Sequence, residues 1–169
     1  MVEPHASLLN KIKTFKLTGR ALDIAMGKGR NSIFLAKAGF EVEGIEMSPE
    51  AIESAEASCK RENVTVKITR ADLEAAILPR DAFNLVICFF YLQRDLIPGM
   101  KATLKKGGFL VYETFLIDQH LQFGSPRRKE FCLDHNELLN AFREFRIHYY
   151  EEGVGEGGKI TARIIAEKQ

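Results

Sequence analysis

A short apolar segment runs directly into a glycine-rich turn at residues 20–30, and this feature constrains the fold of the chain more than any other. Its apolar residues predict a buried strand over residues 20–25, followed by Gly27 and Gly29 and then by a helix. Glycine has no Cβ and reaches positive φ without strain, so a ligand can approach the backbone of such a turn closely. A strand, a glycine turn and a helix N-terminus together predict a nucleotide-binding corner of an α/β protein.

An acid further along the chain supports this interpretation. Glu46 lies nineteen residues after Gly27, at the end of the next apolar run. An acid at this distance, at the tip of the second strand, is placed to accept hydrogen bonds from ribose hydroxyls. Together with Asp23, which comes just before the turn, these residues predict a site for a ligand that contains a nucleoside.

The remaining pattern alternates strands with helices and ends in two strands joined by a glycine-rich connection, residues 153–158. Such a pattern predicts a Rossmann-like α/β fold, with a doubly wound, seven-stranded, mostly parallel sheet and a C-terminal antiparallel hairpin, in a single domain over residues 1–169. The further strands are expected at residues 40–45, 64–68, 83–90, 109–115, 146–151 and 160–166. Helices are expected at residues 7–15, between Ile33 and Gly39, after Ser48, around Pro98 up to Gly107 and Gly108, and after a capping box of Asp134 and Glu137, with a polar loop at residues 117–130.

Composition excludes several function classes. The 169 residues carry a formal net charge of +1, which gives no electrostatic footprint for nucleic acid or an anionic membrane. No apolar run reaches the length of a membrane-spanning helix, and the first residues are too polar for a signal peptide, so a cytoplasmic location is expected. Cys59, Cys88 and Cys132 are odd in number and lack CxxC spacing, which predicts neither disulfides nor a metal site.

The motifs resemble those of the class I S-adenosylmethionine-dependent methyltransferases over nearly the whole chain. The family's first motif, an acid followed by Gly-x-Gly-x-Gly, is similar to residues 23–29, with Ala25 at the first glycine and Met26 at a position that is frequently cysteine. The segment LKKGG at 104–108 resembles the family's Leu-Lys-Pro-Gly-Gly, with Lys106 in place of the proline. Residues 29–39, 126–128, 137–139 and 149–152 are similar to the small tellurite-resistance-type members of the family.

This resemblance implies methyl transfer from S-adenosylmethionine, with S-adenosylhomocysteine as product, to a small-molecule acceptor such as a chalcogen oxyanion or a similar soft nucleophile. A monomer or homodimer is expected, with no nucleic-acid or membrane partner. The implied roles are the amino-acid end of the cofactor for Asp23 and the glycine turn, the ribose for Glu46, and the adenine for Met47, Asp72 and Leu73. The expected cofactor-binding residues are Asp23, Ala25, Met26, Gly27, Gly29, Arg30, Asn31, Glu46, Met47, Ala71, Asp72, Leu73 and Phe89.

Acceptor contacts are expected from the ends of the fourth and fifth strands and from the loop that follows them. The candidates are Tyr91, Arg94, Glu113, His120, Arg127 and Arg128, and no catalytic base stands out among them.

Three other functions remain open from the sequence. Ala25 and the missing base are compatible with a non-catalytic, S-adenosylmethionine-binding regulatory subunit. An NAD-dependent oxidoreductase is disfavoured because Ser32 stands where a G-x-G-x-x-G turn has its last glycine. A metalloid methyltransferase acting through cysteine thiolates is disfavoured because Cys88 lies inside an apolar strand and Cys59 on the core face of a helix.

Overall fold

Seven strands form one mixed sheet in the computed structural model, which describes residues 6–169. The sheet order is β3-β2-β1-β4-β5-β7-β6, and β7 pairs antiparallel with both of its neighbours. The strands are β1 (Arg20–Ile24), β2 (Glu41–Glu46), β3 (Val66–Arg70), β4 (Phe83–Phe89), β5 (Leu104–Phe115), β6 (Arg146–Val154) and β7 (Ile160–Glu167). This architecture confirms the predicted fold class.

Helices cover both faces of the sheet. They are α1 (Ala6–Lys11), α2 (Arg30–Lys37), α3 (Pro49–Arg61), α4 (Ile97–Thr103), α5 (Ile117–Phe123) and α6 (Glu137–Ala141), with short 3₁₀ segments at Ile12–Phe15, Arg94–Leu96, Lys129–Phe131 and Glu156–Gly158. One core layer packs α1 and α2 against the sheet, and the other packs α4 and α6 against its opposite face. In the part of the chain that the structure describes, no helix is long and apolar enough to cross a membrane.

The central strands are apolar because they are buried on both faces, as in other parallel sheets. In β4, Leu85, Val86, Ile87 and Cys88 have no exposed surface. The register pairs Ile24 of β1 with Cys88 of β4, so the carboxyl ends of the two strands lie side by side. Residues that follow β1 and β4 are therefore brought together at this edge of the sheet.

Three predicted boundaries were wrong. β3 lies two residues later than the predicted 64–68. β5 begins at Leu104 rather than at 109, because Gly107 donates its N–H to the carbonyl of Lys168 and Gly108 accepts from the N–H of Lys168. These residues therefore extend the strand instead of closing a helix, and the preceding helix ends at Thr103.

The predicted loop at 117–130 is partly helical, since α5 occupies its first half and is capped by Gly124, whose φ is +64°. The predicted capping box at α6 is formed on one side. The Glu137 carboxylate accepts from the N–H of Asp134 at 2.7 Å, but the N-cap residue is Asn136.

Candidate functional site

A cavity of about 390 Å³ opens at the carboxyl ends of β1 and β4. The chain reverses its direction of travel across the sheet between these strands, and open α/β sheets bind their ligands at such a switch point. The cavity is lined by Asp23, Ala25, Met26, Gly27, Lys28, Arg30, Asn31, Phe89 and Phe90. Sequence reasoning named all of these residues except Lys28 and Phe90.

The glycine turn forms the floor of this cavity through three left-handed positions that alternate along the chain. Ala25, Gly27 and Gly29 have φ values of +55°, +55° and +77°. A Cβ at Gly27 would meet nothing within 4 Å, so this position is open for a ligand, whereas a Cβ at Gly29 would lie 3.1 Å from Cβ of Ala55. Gly29 therefore permits the close packing of the turn on α3, and Gly27 leaves the backbone accessible. Ala25 adopts the same conformation with a side chain, at a cost of about 1–2 kcal/mol.

Glu46 fastens this turn to the tip of β2. Its Oε2 accepts a hydrogen bond of 2.8 Å from the N–H of Gly27, and its Oε1 accepts bonds of 2.9 Å from the N–H groups of Met47 and Ser48. Sequence reasoning missed this structural role, because the spacing between Gly27 and Glu46 does not show where the carboxylate points. A carboxylate has about four acceptor positions, so room remains for a further donor.

Asp23 is a buried carboxyl group on the cavity wall, with 2% of its surface exposed. The Ser32 hydroxyl donates to its Oδ2 at 2.6 Å. Burial raises the pKa of Asp23 from 3.8 to about 7, although the Ser32 hydrogen bonds oppose that shift. A cation bound in the cavity would stabilise the ionised form of this group.

The predicted adenine residues lie beside Glu46, outside the lining of the cavity. The N–H of Ala71 donates to the carbonyl of Glu46 at 3.1 Å. Met47 is 58% exposed, whereas Leu73 is buried. Asp72 accepts from the N–H of Glu74 at 2.9 Å and so forms a local turn. The contacts of Met47, Asp72 and Leu73 with adenine, and of Ala71 with the cofactor, stay predictions.

Arg94 holds a loop in place rather than pointing into the cavity. Its guanidinium pairs with both carboxylate oxygens of Glu137, at 2.6 and 3.0 Å. It also donates to the carbonyls of Glu130 and Cys132, at 2.8 and 2.9 Å. These four hydrogen bonds join the end of β4 to the segment before α6, so the side chain has a structural function at this position.

The other acceptor candidates also have local partners. The Tyr91 hydroxyl donates to Oε1 of Gln93 at 2.6 Å, and Nδ1 of His120 lies 2.7 Å from the carbonyl of Pro126. Glu113 is buried and accepts from the Thr161 hydroxyl at 2.9 Å. Arg127 and Arg128 are exposed, and Arg128 stacks over the ring of Phe131. Within residues 6–169, none of the six candidates lines the cavity, so their contact with an acceptor stays a prediction.

Comparison with known sequences identifies related proteins. Residues 21–108, just over half of the 169, match the family model described as a methyltransferase domain. The Eikenella corrodens protein named Hemagglutinin 1 is 27% identical over 92% of this chain and 53% of its own length. The Haemophilus influenzae protein named probable S-adenosyl-L-methionine-dependent methyltransferase TehB is 24% identical over 81% of this chain and 49% of its own length. The chain thus spans about half the length of the curated relatives it matches.

Solved structures share the fold. TehB from Haemophilus influenzae superposes with a TM-score of 0.82 at 20% identity, over 98% of this chain and 63% of that one. An S-adenosylmethionine-dependent methyltransferase from Mesorhizobium loti has a TM-score of 0.75 at 18% identity, over 96% of this chain and 99% of that one. The family match over residues 21–108 and the arrangement of the sheet agree with the motifs of the sequence. The chain belongs to the methyltransferase domain family, as one of the class I S-adenosylmethionine-dependent methyltransferases that its motifs resemble.

Proposed function

We propose that this chain transfers a methyl group from S-adenosylmethionine to a small-molecule acceptor. The observation that carries the proposal is the cavity at the switch point, in which the buried Asp23 carboxyl and the open backbone at Gly27 lie together, with Glu46 hydrogen-bonded to that same backbone. Family membership implies S-adenosylmethionine as cofactor. When bound, this cofactor supplies a methyl group already activated on a sulfonium.

The residues of the cavity suit such a ligand. Asp23 would pair with the ammonium of the amino-acid end, and this contact would keep the carboxyl ionised. The Gly27 backbone would lie along the chain that leads to the sulfonium, where no side chain intervenes. Glu46 would accept from the ribose hydroxyls, with Met47, Asp72 and Leu73 around the adenine. The chain's own contribution is then to orient the cofactor and to exclude water, because the methyl carbon needs little further activation.

For the acceptor, we propose a chalcogen oxyanion or a similar soft nucleophile. The support is the likeness of residues 29–39, 126–128, 137–139 and 149–152 to the tellurite-resistance-type methyltransferases, together with the TehB relatives.

Methyl transfer to an oxyanion and a non-catalytic regulatory role predict opposite results for the release of S-adenosylhomocysteine. The purified chain, saturated with S-adenosylmethionine, should release S-adenosylhomocysteine over many turnovers when tellurite or selenite is added. Cofactor binding without turnover on either oxyanion or on a panel of small thiols would favour a regulatory subunit.

Cofactor identity is tested by calorimetric titration with S-adenosylhomocysteine beside NAD. We expect micromolar binding of S-adenosylhomocysteine and none of NAD, since Ser32 stands at the position of the last glycine of a dinucleotide turn and its hydroxyl is bonded to Asp23. Binding of NAD alone would overturn the methyltransferase proposal. Binding of neither ligand would mean that Ala25 has closed the corner to nucleosides.

We also propose that residues 1–169 work as a single cytoplasmic domain, as a monomer or homodimer, without nucleic acid. The continuous sheet and the net charge of +1 support this proposal. Light scattering on a size-exclusion column tests the oligomeric state, and a filter-binding assay with RNA and DNA tests the absence of nucleic-acid binding.

A further inference from the structure

The glycine-rich connection between β6 and β7 curls over the end of β5. A Cβ at Gly155 would lie 2.3 Å from Nη1 of Arg163 and 3.3 Å from Oε1 of Glu113. The backbone of the connection therefore rests directly on a buried polar cluster, which consists of Glu113, Thr161 and Arg163. Any side chain at position 155 would displace this contact.

The buried cluster fixes the connection in place. The Thr161 hydroxyl donates to Oε1 of Glu113 at 2.9 Å and accepts from Nη1 of Arg163 at 2.9 Å. Nη2 of Arg163 also lies 3.1 Å from a carboxylate oxygen of Glu151. Above the cluster, the N–H of Gly155 donates to the carbonyl of Lys159 at 2.7 Å, so the backbone of Lys159 is held at a defined position.

This position puts the Lys159 side chain on an aromatic platform at the edge of the cavity. Its Nζ lies 4.7 Å from the ring centroid of Phe90 and 5.7 Å from that of Phe115, and the two rings are 4.9 Å apart. Phe90 lines the cavity, and its N–H donates to the carbonyl of Glu113 at 2.8 Å. The ammonium is thus coupled through one aromatic ring to the cavity in which the cofactor is proposed to bind.

The charges around Lys159 leave its ammonium available to a ligand. Among the described residues, no carboxylate oxygen comes within 4.0 Å of its Nζ, and Lys159 as a whole is exposed. Glu113 on β5 is a buried acid that interacts with the charge of Lys159. Burial raises the pKa of its carboxyl, whereas the Thr161 hydrogen bond and the charges of Arg163 and Lys159 lower it. Glu156, on the connection itself, also contributes a negative field at this cluster.

We infer that Lys159, supported by the rings of Phe90 and Phe115, forms the acceptor subsite and selects a negatively charged, polarisable nucleophile. This inference rests on the proposed methyltransferase function and deepens it. An anion beside an ammonium gains Coulomb energy that a neutral acceptor of the same size lacks. Aromatic faces suit a large, polarisable nucleophilic atom better than a strongly hydrated one. Lys159 therefore acts as a specificity-determining residue, which neither the motifs nor the spacing of the sequence single out.

The test compares matched acceptors and matched variants of the full chain. The chain is first saturated with S-adenosylhomocysteine and then titrated calorimetrically with selenite, with 3-mercaptopropionate and with the neutral 3-mercapto-1-propanol. We expect at least one of the two anions to bind and the neutral thiol to bind more weakly. Lys159→Met should weaken anion binding about tenfold, and Lys159→Arg should retain most of the anion affinity of the unaltered chain. Lys106→Met, at an exposed position near the opposite end of β5, should bind as the unaltered chain does.

The titrations separate the failure of this inference from the failure of the proposed function. Loss of S-adenosylhomocysteine binding in the unaltered chain would refute the cofactor site itself. If that ligand binds but neither anion does, or if Lys159→Met binds anions as tightly as the unaltered chain, the subsite is overturned. Equal thermal midpoints for the three variants would show that changes in anion binding come from the side chain and not from unfolding.

Discussion

The carboxylate of Glu46 accepts a 2.8 Å hydrogen bond from the backbone N–H of Gly27, nineteen residues earlier in the chain. This bond joins the turn after β1 to the tip of β2, and two further N–H donors hold the same carboxylate. The group proposed to bind ribose is therefore oriented before any ligand arrives. Such preorganisation lowers the entropy that a ligand loses on binding.

Glu46→Ala should weaken binding of S-adenosylhomocysteine by about 1–3 kcal/mol, the scale for losing hydrogen bonds to a charged group. Calorimetry at fixed pH measures the change. Glu53→Ala, at an exposed position on α3, is the matched control and should leave the affinity unaltered. Equal affinities for the two variants would show that Glu46 only fastens the turn.

The raised pKa of Asp23 predicts that cofactor binding depends on pH. If the ammonium of the ligand binds the ionised carboxyl, affinity for S-adenosylhomocysteine should rise about tenfold between pH 6 and pH 7.5, because the pKa is about 7 in the ligand-free chain. Asp23→Asn should bind weakly and show no such slope. A pH-independent affinity in the unaltered chain would contradict the pairing of Asp23 with the ammonium.

The same group predicts the pH dependence of folding. The folded pKa of Asp23, about 7, lies above the ordinary 3.8, so the folded chain binds more protons than the unfolded chain between these values. Stability should therefore fall as pH rises through this window, by about 2–3 kcal/mol from this group between pH 5 and pH 7.5. In Asp23→Asn this decline should be absent, and urea denaturation at pH 5 and pH 7.5 measures the difference. A decline of equal size in both proteins would assign it to other groups.

Ala25→Gly should stabilise the chain. Removing the strain of the left-handed conformation at φ +55° should stabilise the folded chain by about 1–2 kcal/mol. The greater conformational freedom of glycine in the unfolded chain lowers the free energy of unfolding by about 0.4–1 kcal/mol. The expected net gain is about 0.5–1 kcal/mol, measured by urea denaturation. A loss of stability would mean that the packing of the Ala25 methyl group outweighs its strain.

Gly44→Ala should destabilise the chain by about 1–3 kcal/mol, the range for overpacking a filled core. The sulfur of Met26 stands 2.0 Å from where a Cβ at Gly44 would be, and Met26 is buried. Gly99→Ala, within α4, is the control, because its Cβ would meet nothing closer than 3.9 Å. Similar denaturation midpoints for both variants would show that Met26 moves aside without cost.

Sequence reasoning predicted the alternation of strands and helices and the residues of the glycine turn, because both depend on local patterns. Apolar runs mark buried strands, and the interval from Gly27 to Glu46 reflects the length of one strand, helix and strand. Sequence reasoning failed where the end of a strand or helix depends on hydrogen bonds to residues that are distant in the sequence. Gly107 and Gly108 extend β5 because Lys168 lies beside them, and no local pattern shows that pairing.

In the candidate site too, residues that belong to a local motif were predicted, and the roles of residues whose contacts are distant in sequence were not. Asp23 and Asn31 were named from their motif, and the structure places both on the cavity. Arg94 was named for its position after the fourth strand, but its partners, Glu137 and the carbonyls before α6, are about forty residues away in sequence. Phe90 and Lys159 were missed because they meet only when β4, β5 and β7 are assembled in one sheet.

The sheet order implies that the candidate site is complete only when segments distant in the sequence have paired during folding. Its parts follow β1, β2 and β4 and precede β7, and β1 pairs with β4 although β2 and β3 lie between these two strands in the sequence. Contacts between distant segments form late because loop closure must come first. No fragment that ends before β4 carries both walls of the cavity. A nucleoside ligand would therefore bind the chain whose sheet is fully formed and not a collapsed chain that lacks the native strand pairing. Its binding would shift the folding equilibrium toward the native sheet.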